Sequence, residues 1–171
     1  ASPAGEREVT VSSFNIENFF DDEVNSENVE KETIYPKEVF QKRLAKTSLA
    51  IRKVLSSPDV LGVIEVESVK VLQKLADKIN ADTVAEGKPD PMYKAYLDEG
   101  NDGRGIDSGF LVKTSKINVI ETKQLAKDEK ADDGFLFDRP PFLLSAEVFD
   151  AKTKQTFAFT TIVNHFKSYR G

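Results

Sequence analysis

Apolar and polar residues alternate over residues 8–14, which predicts a strand closed by Asn15. Residues 17–36 lose that pattern. They are acidic and irregular and read as a long loop, either a binding segment or lid or a plain solvated insertion. Phe40, Leu44, Thr47, Ile51 and Leu55 then recur at steps of four, three, four and four. This is one face of an amphipathic helix, stopped by Ser56-Ser57-Pro58. Residues 59–66 form a continuous apolar run and predict a central strand covered on both faces. Ser68 is placed to cap a second helix that buries Val69, Leu72, Leu75 or Ala76, and Ile79. A turn follows at 87–91. The pattern beyond it is that of strands, at 93–97, 108–113, 117–122, 142–149 and 156–164. A hairpin turn falls at 150–154 and a second long polar loop at 126–139. Strand, helix, strand, helix and then many strands predict a mixed α/β fold, with helices on one face of a large, partly antiparallel sheet. The other face needs a cover too. A second sheet, from another chain or from further residues, is the expected solution.

A length of 171 residues suits one domain, large enough to bury about 70% of the surface its unfolded chain exposes. At 39% hydrophobic and 31% charged the chain is too apolar for disorder, and no stretch is apolar for long enough to span a membrane. The absence of cysteine excludes disulfides and thiolate metal sites, so any metal is held by oxygen or by the one histidine. A net charge of −5 argues against a module that grips nucleic acid by bulk electrostatics. An enzyme with a few local cations stays open. The start Ala1-Ser2-Pro3-Ala4-Gly5 fits a processed secretory protein and equally an artificial start; a secreted or periplasmic bacterial location is the expectation that leans ahead.

His165 stands where the last strand ends, beside the amide of Asn164 and two cations, Lys167 and Arg170. Strand ends are where α/β folds place their chemistry, and an imidazole that titrates near neutrality suits acid–base work. Glu65 interrupts the apolar strand at 59–66. A carboxylate there costs several kcal/mol unless it is paired or metal-bound; a salt bridge and a metal site are both open. Glu67 follows two residues on. Asn15 closes an apolar strand in the same way, as a site residue or a turn cap. Residues 101–109 are rich in glycine but lack the Lys-Ser/Thr ending of a P-loop and the following helix of a dinucleotide fingerprint. They form either a flexible turn or a loop that brings Arg104 and Asp107 to a phosphate. Asp138-Arg139-Pro140-Pro141 holds Arg139 on a stiff segment suited to a phosphate, or to an ion pair with Asp138 or another acid.

Five segments appear in order: Ser-Phe-Asn-Ile-Glu-Asn-Phe (13–19), Leu-Gly-Val-Ile-Glu-Val (61–66), Gly-Arg-Gly-Ile-Asp-Ser-Gly-Phe-Leu-Val (103–112), Arg-Pro-Pro-Phe (139–142) and Asn-His-Phe-Lys-Ser (164–168). Each is weak alone. Together they resemble the endonuclease/exonuclease/phosphatase family, in the flavour of bacterial extracellular nucleases similar to deoxyribonuclease I. The resemblance implies a four-layer α/β/β/α sandwich of two similar halves, with Mg²⁺-dependent cleavage of a phosphoester between the tops of two sheets; Mn²⁺ or Ca²⁺ are the other candidate ions. By position, Glu65 resembles the metal-binding carboxylate and Asn15 its companion in the metal and phosphate site. Arg139 resembles a phosphate-contacting arginine, and His165 the histidine that protonates the leaving group or supports the scissile phosphate. Asn164, Arg104 and Lys167 join the expected phosphate contacts.

The family's later Gly-Asp-Phe-Asn-type and Ser-Asp-His-type segments, which position and activate the attacking water, have no counterpart in these residues. The chain therefore reads as about the first half of such a domain, inactive or nearly so unless a second polypeptide or second copy completes it. Three functions follow. The first is a nuclease acting on DNA or RNA. The second is a lipid- or inositol-phosphate phosphoesterase of the same fold, for which Phe19-Phe20 and Phe135-Leu136-Phe137 are the only candidate membrane-facing aromatics. The third is a non-catalytic half-domain for binding or assembly.

Overall fold

The apolar rows sort into two cores, one on each face of a single central sheet. The structure is a computed structural model and describes residues 8–24, 33–132, 134–150 and 153–166. The elements run β1 (Val11–Phe19), α1 (Lys37–Lys53), β2 (Val60–Val66), α2 (Val69–Ala85), β3 (Tyr93–Leu97), β4 (Asp107–Lys113), β5 (Ile117–Gln124), β6 (Lys130–Ala131), β7 (Gly134–Phe135), β8 (Phe142–Asp150) and β9 (Gln155–Val163). The central sheet has the order β1-β2-β4-β3, a second sheet the order β5-β8-β9, and β6-β7 is a small hairpin. Strand β1 is parallel to β2, and the pairings of β4 with β2 and β3 are antiparallel.

The period-two rule fixes which side chain faces which core. Leu61 and Val63 of β2, Leu111 of β4, and Tyr93, Ala95 and Leu97 of β3 face the helices, against Phe40, Leu44 and Ile51 of α1 and Leu72, Leu75 and Ile79 of α2. The intervening residues Val60, Phe110 and Val112 face the second sheet and meet Phe142, Leu144, Ala146 and Val163. The sheets approach closely where β2 carries no side chain. A Cβ on Gly62 would lie 3.2 Å from Val163 Cγ2. Ser68 caps α2 as its sequence predicts, accepting from Val71 N–H at 3.3 Å. Ser48 and Arg52 of α1 lock onto Asp82 of α2 at 2.7 and 3.2 Å.

Asp59 anchors the end of the sheet away from the carboxyl ends of β1 and β2. Its buried carboxylate accepts from Thr10 N–H at 3.0 Å and from Lys113 and Lys116 at 3.1 and 2.8 Å. Burial alone would raise its pKa. Lys116, Thr10 and Lys113 outweigh that and hold it below the ordinary value.

Several expectations need correction. The cover over the second face of the central sheet comes from this same chain, through β5, β8 and β9. Strand β1 runs past Asn15 to Phe19, so the acidic loop starts later; residues 25–32 lie outside the described residues. Phe19 and Phe20 are core residues, at 0% and 3% exposure, and cannot insert into a membrane. On α1 the buried polar position is Ser48, with Thr47 at the boundary, and Val69 is exposed on the first turn of α2. The loop read at 126–139 contains the β6-β7 hairpin. No helix among the described residues is long and apolar enough to cross a membrane.

Candidate active site

Strand β2 resolves the Glu65 conflict with a bulge. Ile64 pairs with Ser108 and Val66 with Asp107, so Glu65 is the extra residue. Its φ is +65°, a left-handed conformation that costs a non-glycine residue about 1–2 kcal/mol. In return Val66 takes the helix-facing position that Glu65 would have filled, and the carboxylate leaves the core. Strand β1 bulges opposite it. Asn15 pairs with Ile64 and Phe19 with Val66, so Ile16, Glu17 and Asn18 lie across from Glu65 alone.

This double bulge builds the acidic side of the site. Asn15 Oδ1 accepts from Glu17 N–H at 2.8 Å, which fixes the direction of the amide. Its Nδ2 then donates to Glu65 Oε1 at 3.1 Å, and Asn18 N–H donates to Glu65 Oε2 at 3.1 Å. His165, just beyond β9, places Nε2 at 3.3 Å from Glu65 Oε1.

The basic side arrives on two loops. Arg139 Nη1 lies 2.8 Å from His165 Nδ1 and 2.9 Å from Nε2. A neutral imidazole has one acceptor nitrogen, so only one of these contacts is a hydrogen bond. Burial, followed by the positive charge of Arg139, pulls the His165 pKa below its ordinary value, while Glu65 works the other way. The ring is therefore neutral near pH 7. Behind it, Arg139 Nε is 3.5 Å from Asp102 Oδ2. Arg104 grips the same carboxylate, with Nη2 on Oδ2 at 2.8 Å and Nε on Oδ1 at 3.1 Å. Burial would raise the Asp102 pKa, but Arg104 and then Arg139 hold it low. Arg139 and Asp102 are nearly buried and Arg104 is exposed.

The loops themselves are pinned. Asn101 Nδ2 donates to Lys127 O and Phe137 O at 2.8 and 3.0 Å, and Asn101 N–H donates to Asp138 O at 2.8 Å. Gly100 N–H donates to Asp107 Oδ1 at 2.7 Å. A Cβ on Gly100 would lie 2.6 Å from that oxygen and 2.9 Å from Pro140 Cδ, so the segment carrying Asp102 seats against the segment carrying Arg139 only with glycine there.

Asn15, Glu65, His165, Arg139 and Arg104 are thus joined by one chain of contacts through Asp102. Asn164 lines a cleft of about 190 Å³ with Arg139, His165, Phe137, Leu136 and Phe166. Lys167 and Arg170 lie outside the described residues. Asp107, grouped with Arg104 by sequence, is buried at the start of β4 and braces the loop from below. Asp102 and Asn18 were missed. The Asp-x-Arg spacing at 102–104 signals a local turn pair, but the backbone N–H of Asn18 carries no side-chain signature.

The donor set allows a test of fit for a metal. Among the described residues no three His, Cys, Asp or Glu side chains converge on one point. That rules out a closed protein cage there. A single carboxylate, Glu65, fits Mg²⁺, which keeps several waters and is commonly held by one or two carboxylates plus substrate phosphates. Asn15 turns its amine to Glu65, so in this geometry it orients the carboxylate.

A search of curated protein sequences finds no match. Among solved structures, an endonuclease/exonuclease/phosphatase family protein from Bacteroides thetaiotaomicron is 15% identical, with a TM-score of 0.51, over 90% of this chain and 49% of that one. Humanized D. rerio TDP2 is 14% identical with a TM-score of 0.47, over 95% and 49% of the two chains. The human Nocturnin catalytic domain, solved with a bound sulfate anion, is 11% identical with a TM-score of 0.47, over 75% and 44%. The chain spans about half the length of these structures. The sequence profile of the Endonuclease/Exonuclease/phosphatase family matches residues 10–171. With that profile spanning nearly the whole sequence, this chain belongs to the endonuclease/exonuclease/phosphatase family.

Proposed function

We propose that this chain carries the first half of a Mg²⁺-dependent phosphodiesterase site that cleaves nucleic acid. The observation that carries the reading is the contact chain Asn15–Glu65–His165–Arg139–Asp102–Arg104, which joins two carboxylates, one neutral imidazole and two guanidiniums in one network, with Arg139 and His165 on the wall of the cleft. Glu65 would hold the ion, with waters and phosphate oxygens completing its shell; a bound divalent ion supplies charge neutralisation at the phosphoryl oxygens. Arg139, nearly buried and braced by Asp102, aims a pre-organised guanidinium at the phosphate. Arg104, on the exposed rim, meets the phosphate as it enters. His165, neutral in the resting site, accepts from Arg139 on one ring nitrogen and meets Glu65 with the other; its N–H would turn to a phosphate oxygen only when the substrate enters. The phosphate's negative charge offsets the field of Arg139 and restores the proton affinity that general-acid work needs.

Nucleic acid is favoured over a lipid headgroup. Phe19 and Phe20 are buried, which leaves only Phe135 and Leu136 exposed in the candidate segments. The apolar wall at the cleft, Leu136, Phe137 and Phe166, suits the flat face of a base beside its phosphate. The proposal also includes a completing partner. Strands β1 and β9 are the edges of their sheets and flank one groove of about 300 Å³, lined by Val11, Ser12, Ser13, Thr161, Ile162 and Asn164. Open edges are templates for added strands. The remaining half of the domain, or a second chain, would pair there and supply the group that deprotonates water.

The test is plasmid nicking with Mg²⁺ or Mn²⁺, with and without EDTA, by this chain alone and together with the following half of a family domain. Metal-dependent nicking that Glu65→Ala and His165→Ala both abolish supports the reading. Nicking that survives both substitutions refutes it.

A further inference from the structure

We infer that Arg43 is a positioning residue for the Glu65 site. The inference rests on the functional reading above, because it concerns the carboxylate proposed to hold the ion. Arg43 projects from α1 and touches neither Glu65 nor His165. It binds instead the back of the β1 bulge. Its Nη1 donates to Asn18 O at 2.9 Å, and its Nη2 donates to Ile16 O at 3.2 Å and also to Glu17 O. These are the carbonyls of the three residues that the β1–β2 register skips. Two of those residues, Glu17 and Asn18, have φ of +55° and +47°. A non-glycine pair in that conformation persists only when its surroundings hold it there. The guanidinium itself is fixed against the rings of Phe19 and Tyr35, 5.5 and 5.3 Å from their centroids.

The same peptides face the site with their N–H groups. Asn18 N–H holds Glu65 Oε2, and Glu17 N–H holds the amide that holds Glu65 Oε1. Carbonyls gathered on one side by a cation, and N–H groups presented on the other to an anion, make Arg43 the back plate of the carboxylate's mount. The planar fork spreads its donors over two nitrogens held in a fixed geometry, and Arg43 uses both; a lysine also has three donors, but on a single nitrogen without that span. Sequence reasoning missed it because Arg43 lies beside the apolar row of α1 and reads as an ordinary solvated helix residue.

The experiment uses the full chain, ¹⁵N-labelled, in four variants: Arg43→Ala, Arg43→Lys, Glu65→Gln and Arg52→Ala. The last breaks the α1–α2 pairs with Asp82 and Glu86 and serves as a control for general loss of stability. Two readouts are taken: hydrogen exchange at the Asn18 amide, and Mn²⁺ affinity from water-proton relaxation. Loss of an outer support to a metal ligand typically costs 10-fold or more in affinity. Arg43→Ala is expected to speed Asn18 exchange and weaken Mn²⁺ binding by about 10-fold, Arg43→Lys to recover little of either, and Arg52→Ala to change neither. Unchanged Asn18 exchange in Arg43→Ala overturns the inference, and so does an equal loss of both readouts in Arg52→Ala. If the unsubstituted chain and Glu65→Gln bind Mn²⁺ equally, the functional reading of Glu65 fails, and Asn18 exchange alone then supports or overturns the role of Arg43.

Discussion

Asp107→Asn should stabilise this protein at neutral pH and leave it unchanged in acid. Asp107 opens β4 at 4% exposure. Burial pushes its carboxyl up from the ordinary 3.8 to about 7; Glu99 and Asp102 add to that, while the Gly100 N–H and Lys127 oppose it. For an acid whose folded pKa is raised, the protonated form is favoured by folding. Below 3.8 both states are protonated and no penalty exists. Between 3.8 and about 7 the unfolded chain gives up a proton that the folded chain keeps, so folding weakens as pH rises. Above about 7 both states are ionised and the penalty is complete. Each tenfold in proton affinity is about 1.4 kcal/mol, so the ceiling on that penalty is about 4 kcal/mol. The asparagine oxygen accepts the Gly100 N–H as the protonated carboxyl does, and the bond to the ionised form is already contained in the shifted value, so a net stabilisation approaching about 4 kcal/mol is expected above pH 7. Urea unfolding of both proteins from pH 4.5 to 8.5 measures it. The difference between the two should be small at the acid end, grow through pH 5–7 and level off. An Asp107→Asn protein less stable than the parent at pH 8, or a difference that does not vary with pH, would refute the argument.

Three further outcomes are expected. Gly100→Ala forces a Cβ to within 2.6 Å of Asp107 Oδ1 and 2.9 Å of Pro140 Cδ, and overpacking of this kind costs about 1–3 kcal/mol; thermal unfolding reads the loss, and the Arg139 side-chain signals should broaden with it. Asp59→Asn removes the charge that Lys113, Lys116 and Thr10 share, at a cost of about 2–3 kcal/mol near pH 7. Since the Asp59 pKa is lowered, its contribution is present above 3.8 and is lost as pH falls through the lower folded value, so the variant and parent should converge in acid unfolding. Arg139→Gln removes the charge that helps to depress His165, so the imidazole should titrate closer to 6.5. The chain has one histidine, so a single ring resonance, followed by NMR in metal-free buffer, reports that titration directly; a downward movement would contradict the geometry.

Much of the fold was legible because the apolar periods are long and unambiguous. The run at 59–66 had to be a central strand, and the residues on its two faces do enter two different cores. The cap at Ser68 and the strand at 93–97 needed only local rules. What failed was the cover for the second face. Helices on one side of a sheet are announced by period 3.6, whereas a second sheet that folds back under the first looks, residue by residue, like more of the first. The strands at 117–122, 142–149 and 156–164 were each readable, but nothing in their pattern assigned them to a separate sheet. That assignment lies in long-range contacts, such as the approach of Val163 to Gly62.

The site residues announced themselves as violations of the fold pattern. Glu65 offends an apolar strand, Asn15 reads as the close of one although β1 runs four residues further, and His165 follows the end of β9, and both Asn15 and His165 meet Glu65. The residues that make the offence tolerable left no such trace. The bulge at Glu65 depends on φ, and its opposite bulge on a three-against-one register, neither of which a single sequence displays. Asp102 looked like a turn residue and is one, accepting the N–H of Arg104 at 2.9 Å; its second task, bracing Arg139, exists only because Asn101 ties two distant loops together. A conflict between local pattern and chemistry therefore locates where the site is. How the conflict is settled depends on backbone groups, and those are equivalent in every residue until the chain has folded. This is why the carboxylate could be named from the sequence while the N–H of Asn18 that holds it, and the arginine behind that N–H, could not.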